Sequence, residues 1–291
     1  MYVVAGVSGN VGSVVADALL KAGKKVRVIV RDEAKGAPWK ARGAEVALAD
    51  VSDAGALTSA LKGADGAFLL VPPPIGFDDP LARQHQVIDA EVAAVRASGV
   101  KHVVLLSSVG AQHQDGTGPI KALHAAEAKL RETGVALTFI RAASFMENAA
   151  NALGGLPHGI YATFNALDYP YPMVATHDIG TEAAKALLAG GKGVDIIELV
   201  GPQDYSERDV ATALSALVGK ELKVQQGPIE SMVPTLVSYG FKPKLAELFR
   251  EMVQGAAAGI ISFDGKGRRV RGVTPIGEVL KGLLARAPKA H

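Results

Sequence analysis

Short apolar runs alternate with amphipathic segments through the first half of the chain. We predict strands, apolar on both faces, at residues 2–5, 25–30, 45–49, 66–71, 102–106 and 136–140. Between them, apolar side chains recur at helical spacing and predict helices at residues 11–22, 54–61, 81–98 and 120–133. Such alternation predicts an α/β fold: a Rossmann-like doubly wound parallel sheet, with a ligand crevice at the carboxyl ends of its strands.

The second half of the chain is less regular. Residues 154–172 are rich in Gly, Pro, Asn and aromatic residues and predict loop with short strands. Helix 179–188 and strand 196–200 return to the sheet, and Ser206 and Asp209 have capping-box spacing at the start of a helix that ends near residue 218. Three more helices are predicted at residues 229–239, 244–254 and 276–285. We therefore predict a Rossmann domain at residues 1–150, joined by 173–200, and a smaller, α-rich C-terminal substrate-binding region formed by 151–172 and 201–291.

Three glycines at a spacing of three residues mark the turn between the first strand and the first helix. A glycine turn lets the backbone approach a pyrophosphate, whose charge is then stabilised by the helix N-terminus. Close packing of strand and helix is the alternative reason for such glycines. We interpret the turn as a dinucleotide-binding site, with cofactor contacts at Gly6, Ser8, Gly9, Asn10, Val11 and Gly12.

The second predicted strand ends where the adenosine ribose of a dinucleotide is expected. Arg31 lies at this end, and Lys35 follows shortly after it. An acid here would bind the 2′-hydroxyl of NAD, whereas an arginine accepts the 2′-phosphate of NADP. Asp32 is expected to point to the opposite side. We therefore favour NADP(H), with NAD(H) as the other possibility; an exposed strand-end role for Arg31 is the alternative.

Two further segments complete the predicted cofactor site. Asp50 ends the third strand, in a position to reach the adenine amino group, although a turn or helix cap is its simpler role. Residues 72–74 are three prolines, so the chain must run extended over the crevice or form a rigid loop. These segments assign cofactor contacts to Asp50, Val51, Val71, Pro72 and Pro73.

The composition of the chain excludes several classes of function. Hydrophobic residues make up 48% of the 291 residues, and the net charge of +2 is spread along the chain. A charge that is this small and dispersed predicts no basic patch for binding nucleic acid or an anionic membrane. The chain has no cysteine, which excludes a thiol nucleophile and a cysteine-based zinc site, and the histidines show no metal-ligand spacing. We expect no metal, no signal peptide, no transmembrane helix and a cytoplasmic location.

Six segments together resemble the NmrA-like branch of the atypical short-chain dehydrogenases. They occur in the family's order at residues 6–12, 30–32, 98–111, 141–148, 176–180 and 198–202, and the segments at 145–148 and 199–202 are the more specific ones. The family includes NAD(P)H-dependent quinone and azo reductases, isoflavone-type reductases, and redox-sensing regulators that bind the cofactor without turnover. The resemblance implies an NADP-binding, usually reductase-like protein.

The helix after the fifth strand departs from the wider superfamily. Its usual Tyr-x-x-x-Lys pair is missing, since no tyrosine occurs between Tyr2 and Tyr161. Lys121, His124 and Glu127 instead share one face of this helix. We predict that His124 donates a proton, that Lys121 orients the nicotinamide ribose and that Glu127 holds the tautomer of His124. A solvated charged face is the alternative.

The remaining candidates follow the fifth and sixth strands. Ser107 is the third catalytic candidate and a cofactor contact, because its hydroxyl could bind the substrate carbonyl or the nicotinamide ribose; satisfying the turn backbone is the alternative. Substrate contacts are predicted at His113, Phe145, Met146 and Asn148. A surface-loop position for His113 and core positions for Phe145 and Met146 are the alternatives.

These features predict an NADP(H)-dependent oxidoreductase that transfers hydride to a small organic acceptor, namely a quinone, azo or enone/carbonyl compound. One alternative is a non-catalytic NADP(H)-sensing regulatory protein. A sugar-nucleotide epimerase or dehydratase is another, against which the missing Tyr-x-x-x-Lys pair weighs. We expect a small-molecule substrate, no nucleic-acid or membrane partner, and a monomer or homodimer.

Overall fold

The computed structural model describes residues 1–286. Its strands are β1 (Tyr2–Val4), β2 (Val26–Val30), β3 (Glu45–Leu48), β4 (Gly66–Leu70), β5 (His102–Ser108), β6 (Ala136–Ala142), β7 (Ser144–Phe145), β8 (Ile160–Thr163), β9 (Tyr171–Val174), β10 (Val194–Val200), β11 (Asp204–Tyr205), β12 (Lys223–Gln226) and β13 (Arg268–Arg271). Its α-helices are α1 (Asn10–Lys21), α2 (Glu33–Lys40), α3 (Ala54–Leu61), α4 (Pro80–Ser98), α5 (Lys121–Arg131), α6 (Thr176–Ala189), α7 (Glu207–Val218), α8 (Met232–Ser238), α9 (Pro243–Ala257) and α10 (Ile276–Arg286). Short 3-10 segments occupy Gly118–Ile120, Met146–His158 and Ile229–Ser231.

Within the described residues, the main sheet has eight strands in the order β13-β10-β6-β5-β4-β1-β2-β3. All neighbouring pairs in this sheet are parallel. The strand order reverses at β1, which lies between β2 and β4, and such a switch point opens a crevice beyond the carboxyl ends of the strands. The predicted Rossmann-like doubly wound α/β fold is confirmed.

Helices cover both faces of the sheet, which is why its central strands are apolar throughout. One buried layer packs α1 and α6 against the sheet and includes Val15, Leu19 and Ile179. The opposite layer packs α3, α4 and α5 and includes Leu57 and Ile88. Because the strands are parallel, the turns that follow β1 to β4 lie at one edge of the sheet.

The C-terminal region has a core of its own. It contains a small sheet of β11, β9 and β7 and a pair formed by β12 and β8. Buried residues of α7 and α10 pack together in this third cluster. The predicted capping box is present at the start of α7, where Ser206 Oγ accepts from the Asp209 backbone N–H at 3.1 Å and the Asp209 carboxylate accepts from the Ser206 N–H at 2.8 Å.

Two of the differences from the sequence prediction have a clear physical reason. β13 pairs with β10 in the main sheet, whereas the prediction placed all of residues 201–291 in the cap. This edge strand contains three arginines in four residues, so it carries no apolar run. α2 was not predicted, because Gly36 and Pro38 lower helix propensity. Gly36 is nonetheless required there, since a Cβ would lie 2.6 Å from Val46 Cγ1 of β3.

Candidate cofactor site

A cleft of about 370 Å³ opens at the switch point of the sheet. Its walls come from the turn after β1, the ends of β2 and β3, the loop after β4 and the first turns of α4. Of the predicted cofactor residues, the cleft is lined by Gly6, Ser8, Arg31, Lys35, Asp50, Val51, Pro72 and Pro73. Val71 packs against the second core layer instead, and Gly9, Asn10, Val11 and Gly12 are not among the lining residues, so their cofactor contacts stay predictions.

The three glycines of the first turn have different physical roles. Gly6 has a φ of +69°, and a Cβ there would lie 2.3 Å from Leu70 Cδ2. A Cβ on Gly12 would lie 2.4 Å from the Gly6 carbonyl oxygen, so Gly12 allows α1 to approach β1. Gly9 has an ordinary φ of −103°, and its Cβ would meet only the Gly6 carbonyl oxygen at 3.4 Å. The fold therefore requires glycine at positions 6 and 12 but not at position 9, where the open space is left for a ligand.

The N-terminus of α1 presents free backbone donors beside Gly9. The first bond of this helix runs from the Ser13 N–H to the Gly9 carbonyl, so the N–H groups of Asn10, Val11 and Gly12 precede the helical ladder. No side chain caps this end. Amides at a helix N-terminus, with no side-chain oxygen in front of them, form an anion-binding site.

At the end of β2, Asp32 is bound by groups of the protein, whereas the Arg31 side chain has no such partner in the described part of the chain. Asp32 is the N-cap of α2, and its Oδ1 accepts from the Lys35 backbone N–H at 2.9 Å. Its Oδ2 lies 3.6 Å from Lys35 Nζ, so both carboxylate oxygens face protein donors. Arg31 is exposed, lines the cleft and has no ion-pair partner among the described residues. These residues fit a cofactor with a phosphate on its adenosine ribose better than one with a free 2′-hydroxyl there.

Asp50 lies across the cleft from this pair, after β3. Its Oδ1 accepts from the Ser52 N–H at 2.9 Å and from the Ser52 hydroxyl at 2.7 Å. Arg83 Nη2, from the first turn of α4, donates to the same oxygen at 3.0 Å. The Ser52 hydrogen bonds and, secondarily, the Arg83 guanidinium outweigh partial burial and hold the pKa of Asp50 below its usual value.

The predicted catalytic side chains lie on the other side of β4, and each has a protein partner. Ser107 is buried and donates to Glu127 Oε1 at 2.6 Å. Lys121 Nζ donates to both carboxylate oxygens of Glu251 in α9, at 2.8 and 3.0 Å. His124 Nδ1 lies 3.0 Å from the Ala111 carbonyl oxygen; because a carbonyl only accepts, this contact places the hydrogen on Nδ1. None of the three lines the cleft, and their catalytic roles stay predictions.

Glu127 does not hold the tautomer of His124, and it is not part of a solvated face. It is 3% exposed, and it accepts from Arg141 Nε at 3.0 Å and Nη2 at 2.7 Å. Burial alone would lower the pKa of Arg141, but the hydrogen bonds and charge of Glu127 raise it. The row of polar residues on α5 therefore points partly into the protein, towards a buried ion pair that sequence spacing does not reveal.

The predicted substrate residues are dispersed. His113 lies half-buried in the loop after β5, and Phe145 is half-buried in β7. Met146 is 1% exposed and belongs to the core of the C-terminal region, whereas Asn148 is exposed. None of these four side chains lines the cleft, and their contacts with a substrate stay predictions.

Sequence reasoning did not assign several residues that line the cleft, among them Ile75, Phe77 and Arg83. The available signal was their place just after β4, at the same edge of the sheet as the glycine turn. Among residues 1–286, no group of three or more His, Cys, Asp or Glu side chains is arranged to hold a metal ion. The same part of the chain contains no helix whose length and hydropathy suit a bilayer crossing.

The known proteins that this chain resembles include several reductases. The NmrA-like family matches residues 2–262. The chain is 27% identical over 252 residues to the NAD(P)H azoreductase of Xenophilus azovorans, covering 87% of this chain and 86% of that protein. It is 28% identical over 272 residues to quinone oxidoreductase 2 of Escherichia coli strain K12, covering 91% of each. The crystal structure of the Escherichia coli NADPH-dependent quinone oxidoreductase complexed with NADPH superimposes with a TM-score of 0.81 at 26% identity, over 98% of this chain and 100% of that one.

Proposed function

Because the chain belongs to the NmrA-like family, we propose that it binds NADPH in the cleft at the switch point and reduces a small organic acceptor. A quinone or an azo compound is the acceptor that the relatives favour, since they are named as an azoreductase and a quinone oxidoreductase. One observation carries the cofactor assignment: Arg31 is free at the cleft, whereas Asp32 is engaged as the cap of α2.

Each wall of the cleft then has a role in binding. Gly9 and the first amides of α1 seat the pyrophosphate, because they combine open space with N–H donors. Arg31 and Lys35 bind the 2′-phosphate, for which a guanidinium offers paired donors. The prolines after β4 line the cleft as a stiff segment that needs no ordering when the cofactor binds.

The chemistry that NADPH supplies when bound is hydride donation to the acceptor. Reduction of a quinone or azo group also consumes a proton, which the protein or water must deliver. His124 can carry that proton on Nε2, since its Nδ1 is fixed by the Ala111 carbonyl. Lys121 Nζ is paired with Glu251. To orient the nicotinamide ribose, Lys121 has to bind the ribose in addition to Glu251 or in place of it.

Stopped-flow measurement of NADPH oxidation against a panel of quinones, azo dyes and enones tests the proposal. We expect rapid loss of NADPH absorbance with at least one flat acceptor, and much slower loss with NADH at equal concentration. Gly9→Val is the matched negative control, because its side chain fills the ligand space without clashing with the backbone of the turn.

Tight NADPH binding without oxidation by any acceptor would refute the reductase proposal and favour a cofactor-sensing protein. One observation supports this second candidate: each of the side chains Ser107, Lys121 and His124 already binds another group of the protein. A cytoplasmic location, and a monomeric or homodimeric state, stay predictions; sedimentation analysis with and without NADPH measures the latter.

A further inference from the structure

Asp50 uses only one of its two carboxylate oxygens inside the protein. The hydrogen bonds from the Ser52 backbone, the Ser52 hydroxyl and the Arg83 guanidinium all end on Oδ1. Oδ2 accepts no hydrogen bond from the described residues, although Asp50 lines the cleft. The carboxylate is therefore fixed in orientation and keeps one acceptor atom for a ligand.

Arg83 is itself held from three sides. Its Nη2 binds Asp50, its Nη1 donates to Gln86 Oε1 at 2.9 Å, and its guanidinium carbon lies 4.9 Å from the centre of the Phe77 ring. The Arg83 side chain is 19% exposed, whereas Arg96, further along the same helix, is 52% exposed. An arginine with three partners, at the mouth of a cleft, loses little further freedom when a ligand binds.

The ion pair joins elements that are distant in the sheet. Asp50 follows β3 and Arg83 follows β4, and these strands are separated by β1 and β2. The same part of the cleft contains two large apolar side chains that the fold leaves exposed, Ile75 at 61% and Phe77 at 44%. Apolar surface, an aromatic ring with a guanidinium and one free carboxylate oxygen together suit a flat heteroaromatic ring that carries an amino group.

We propose that Arg83 is a positioning residue for the adenine end of the cofactor, because together with Ser52 it holds Asp50 Oδ1 and so directs Oδ2 to the exocyclic amine. Ile75 and Phe77 cover the ring that this amine belongs to. The inference rests on the proposed binding of NADPH, and it adds Arg83 as the residue that supports the predicted contact between Asp50 and the adenine amino group.

Equilibrium binding of NADPH and of its hypoxanthine analogue tests this role. The analogue places a carbonyl oxygen where adenine has its amine, so it faces the carboxylate with an acceptor instead of a donor. The wild-type protein should bind NADPH about 10- to 100-fold more tightly than the analogue, the range expected for one hydrogen bond to a charged acceptor. In Arg83→Met this preference should fall to about threefold or less, because Asp50 Oδ1 then keeps only its two Ser52 hydrogen bonds and the carboxylate is held less firmly.

Two further variants separate positioning from general damage. Arg96→Met removes an exposed arginine of the same helix, paired with Glu132, and should keep the wild-type preference. Asp50→Asn keeps an oxygen for Arg83 but offers an amide N–H in place of Oδ2, so it should reverse the preference towards the hypoxanthine analogue. Asp50→Asn tests the contact that Arg83 is proposed to position, so an unchanged preference in this variant would contradict the proposal even if Arg83→Met fails to fold.

The outcomes are distinct for the two proposals. Equal preference in Arg83→Met and wild type, or no preference in the wild type, would overturn the role of Arg83 while leaving NADPH binding intact. Binding of neither nucleotide by folded wild-type protein would overturn the proposed function and this inference together.

Discussion

Glu91 offers a direct test of how burial sets stability in this fold. It lies in the middle of α4 and is 1% exposed, and neither of its carboxylate oxygens has a hydrogen-bond partner of normal geometry in the described residues. Burial raises the pKa of the Glu91 carboxyl well above its usual value, and a backbone contact from Leu70 offsets only part of that effect. The folded protein therefore keeps this carboxyl neutral at a pH at which the unfolded chain ionises it.

The stability that the buried Glu91 costs the protein increases with pH. Below the ordinary pKa of 4.5, both states carry the proton, and Glu91 causes no loss of stability. Above it, the unfolded chain releases the proton, so the free energy of unfolding falls by up to about 1.4 kcal/mol per pH unit until the folded-state pKa is reached. Glu91→Gln removes this titration. The variant should gain stability relative to wild type as pH rises, by at most about 3 kcal/mol between pH 5 and pH 7.

Urea denaturation at several pH values measures the difference. Glu91→Leu should show the same slope with a different constant offset, because it also removes the titration but changes packing. Gln84→Leu is the matched control: Gln84 is a buried neutral residue two turns earlier on the same helix, so its difference from wild type should not vary with pH. A flat profile for Glu91→Gln, or a gain that shrinks as pH rises, would show that Glu91 is solvated or paired in the folded protein.

Three further outcomes follow from the cleft and from the buried ion pair. Gly9→Val should abolish NADPH binding in a titration while leaving the thermal melting temperature close to wild type, since a Cβ at this position meets no backbone closer than 3.4 Å; a large loss of melting temperature would assign Gly9 to the fold. Arg31→Ala should weaken NADPH by about 10- to 100-fold and NADH only slightly, and equal losses would remove the phosphate assignment. Arg141→Met should cost about 3–5 kcal/mol in urea denaturation, because the buried Glu127 charge then keeps only the Ser107 hydroxyl and the more distant Arg131, at 3.8 Å, as partners. Arg141→Met combined with Glu127→Gln should recover part of that loss, and no recovery would contradict the ion-pair account.

Local spacing explains what the sequence could predict. The turn at Gly6 to Gly12, the basic residue at Arg31 and the acid at Asp50 each follow a strand of a parallel sheet, so their common edge was predictable from strand order alone. The apolar runs of the central strands also identify the fold, because strands that are buried on both faces of a parallel sheet are apolar throughout.

The missed features depend on contacts between distant parts of the chain. Arg83 reaches Asp50 across 33 positions, and Glu251 reaches Lys121 across 130. Nothing in the spacing of the α5 polar row distinguishes a solvated face from one that meets Arg141. Side-chain partners of this kind are set by packing of the helices on the sheet, which sequence periodicity does not encode.

β13 has a consequence for self-association. Its outer edge carries unpaired backbone groups, and Arg268, Arg269 and Arg271 stand along it with about half of the first two side chains exposed. Arg268 pairs with Asp195 and Arg269 with Glu198, so pairing of two copies through this strand would bring these ion-paired side chains together, and charged side chains of this kind on an edge strand oppose a continuous intermolecular sheet. The charged edge thereby opposes growth of the eight-stranded sheet from that side.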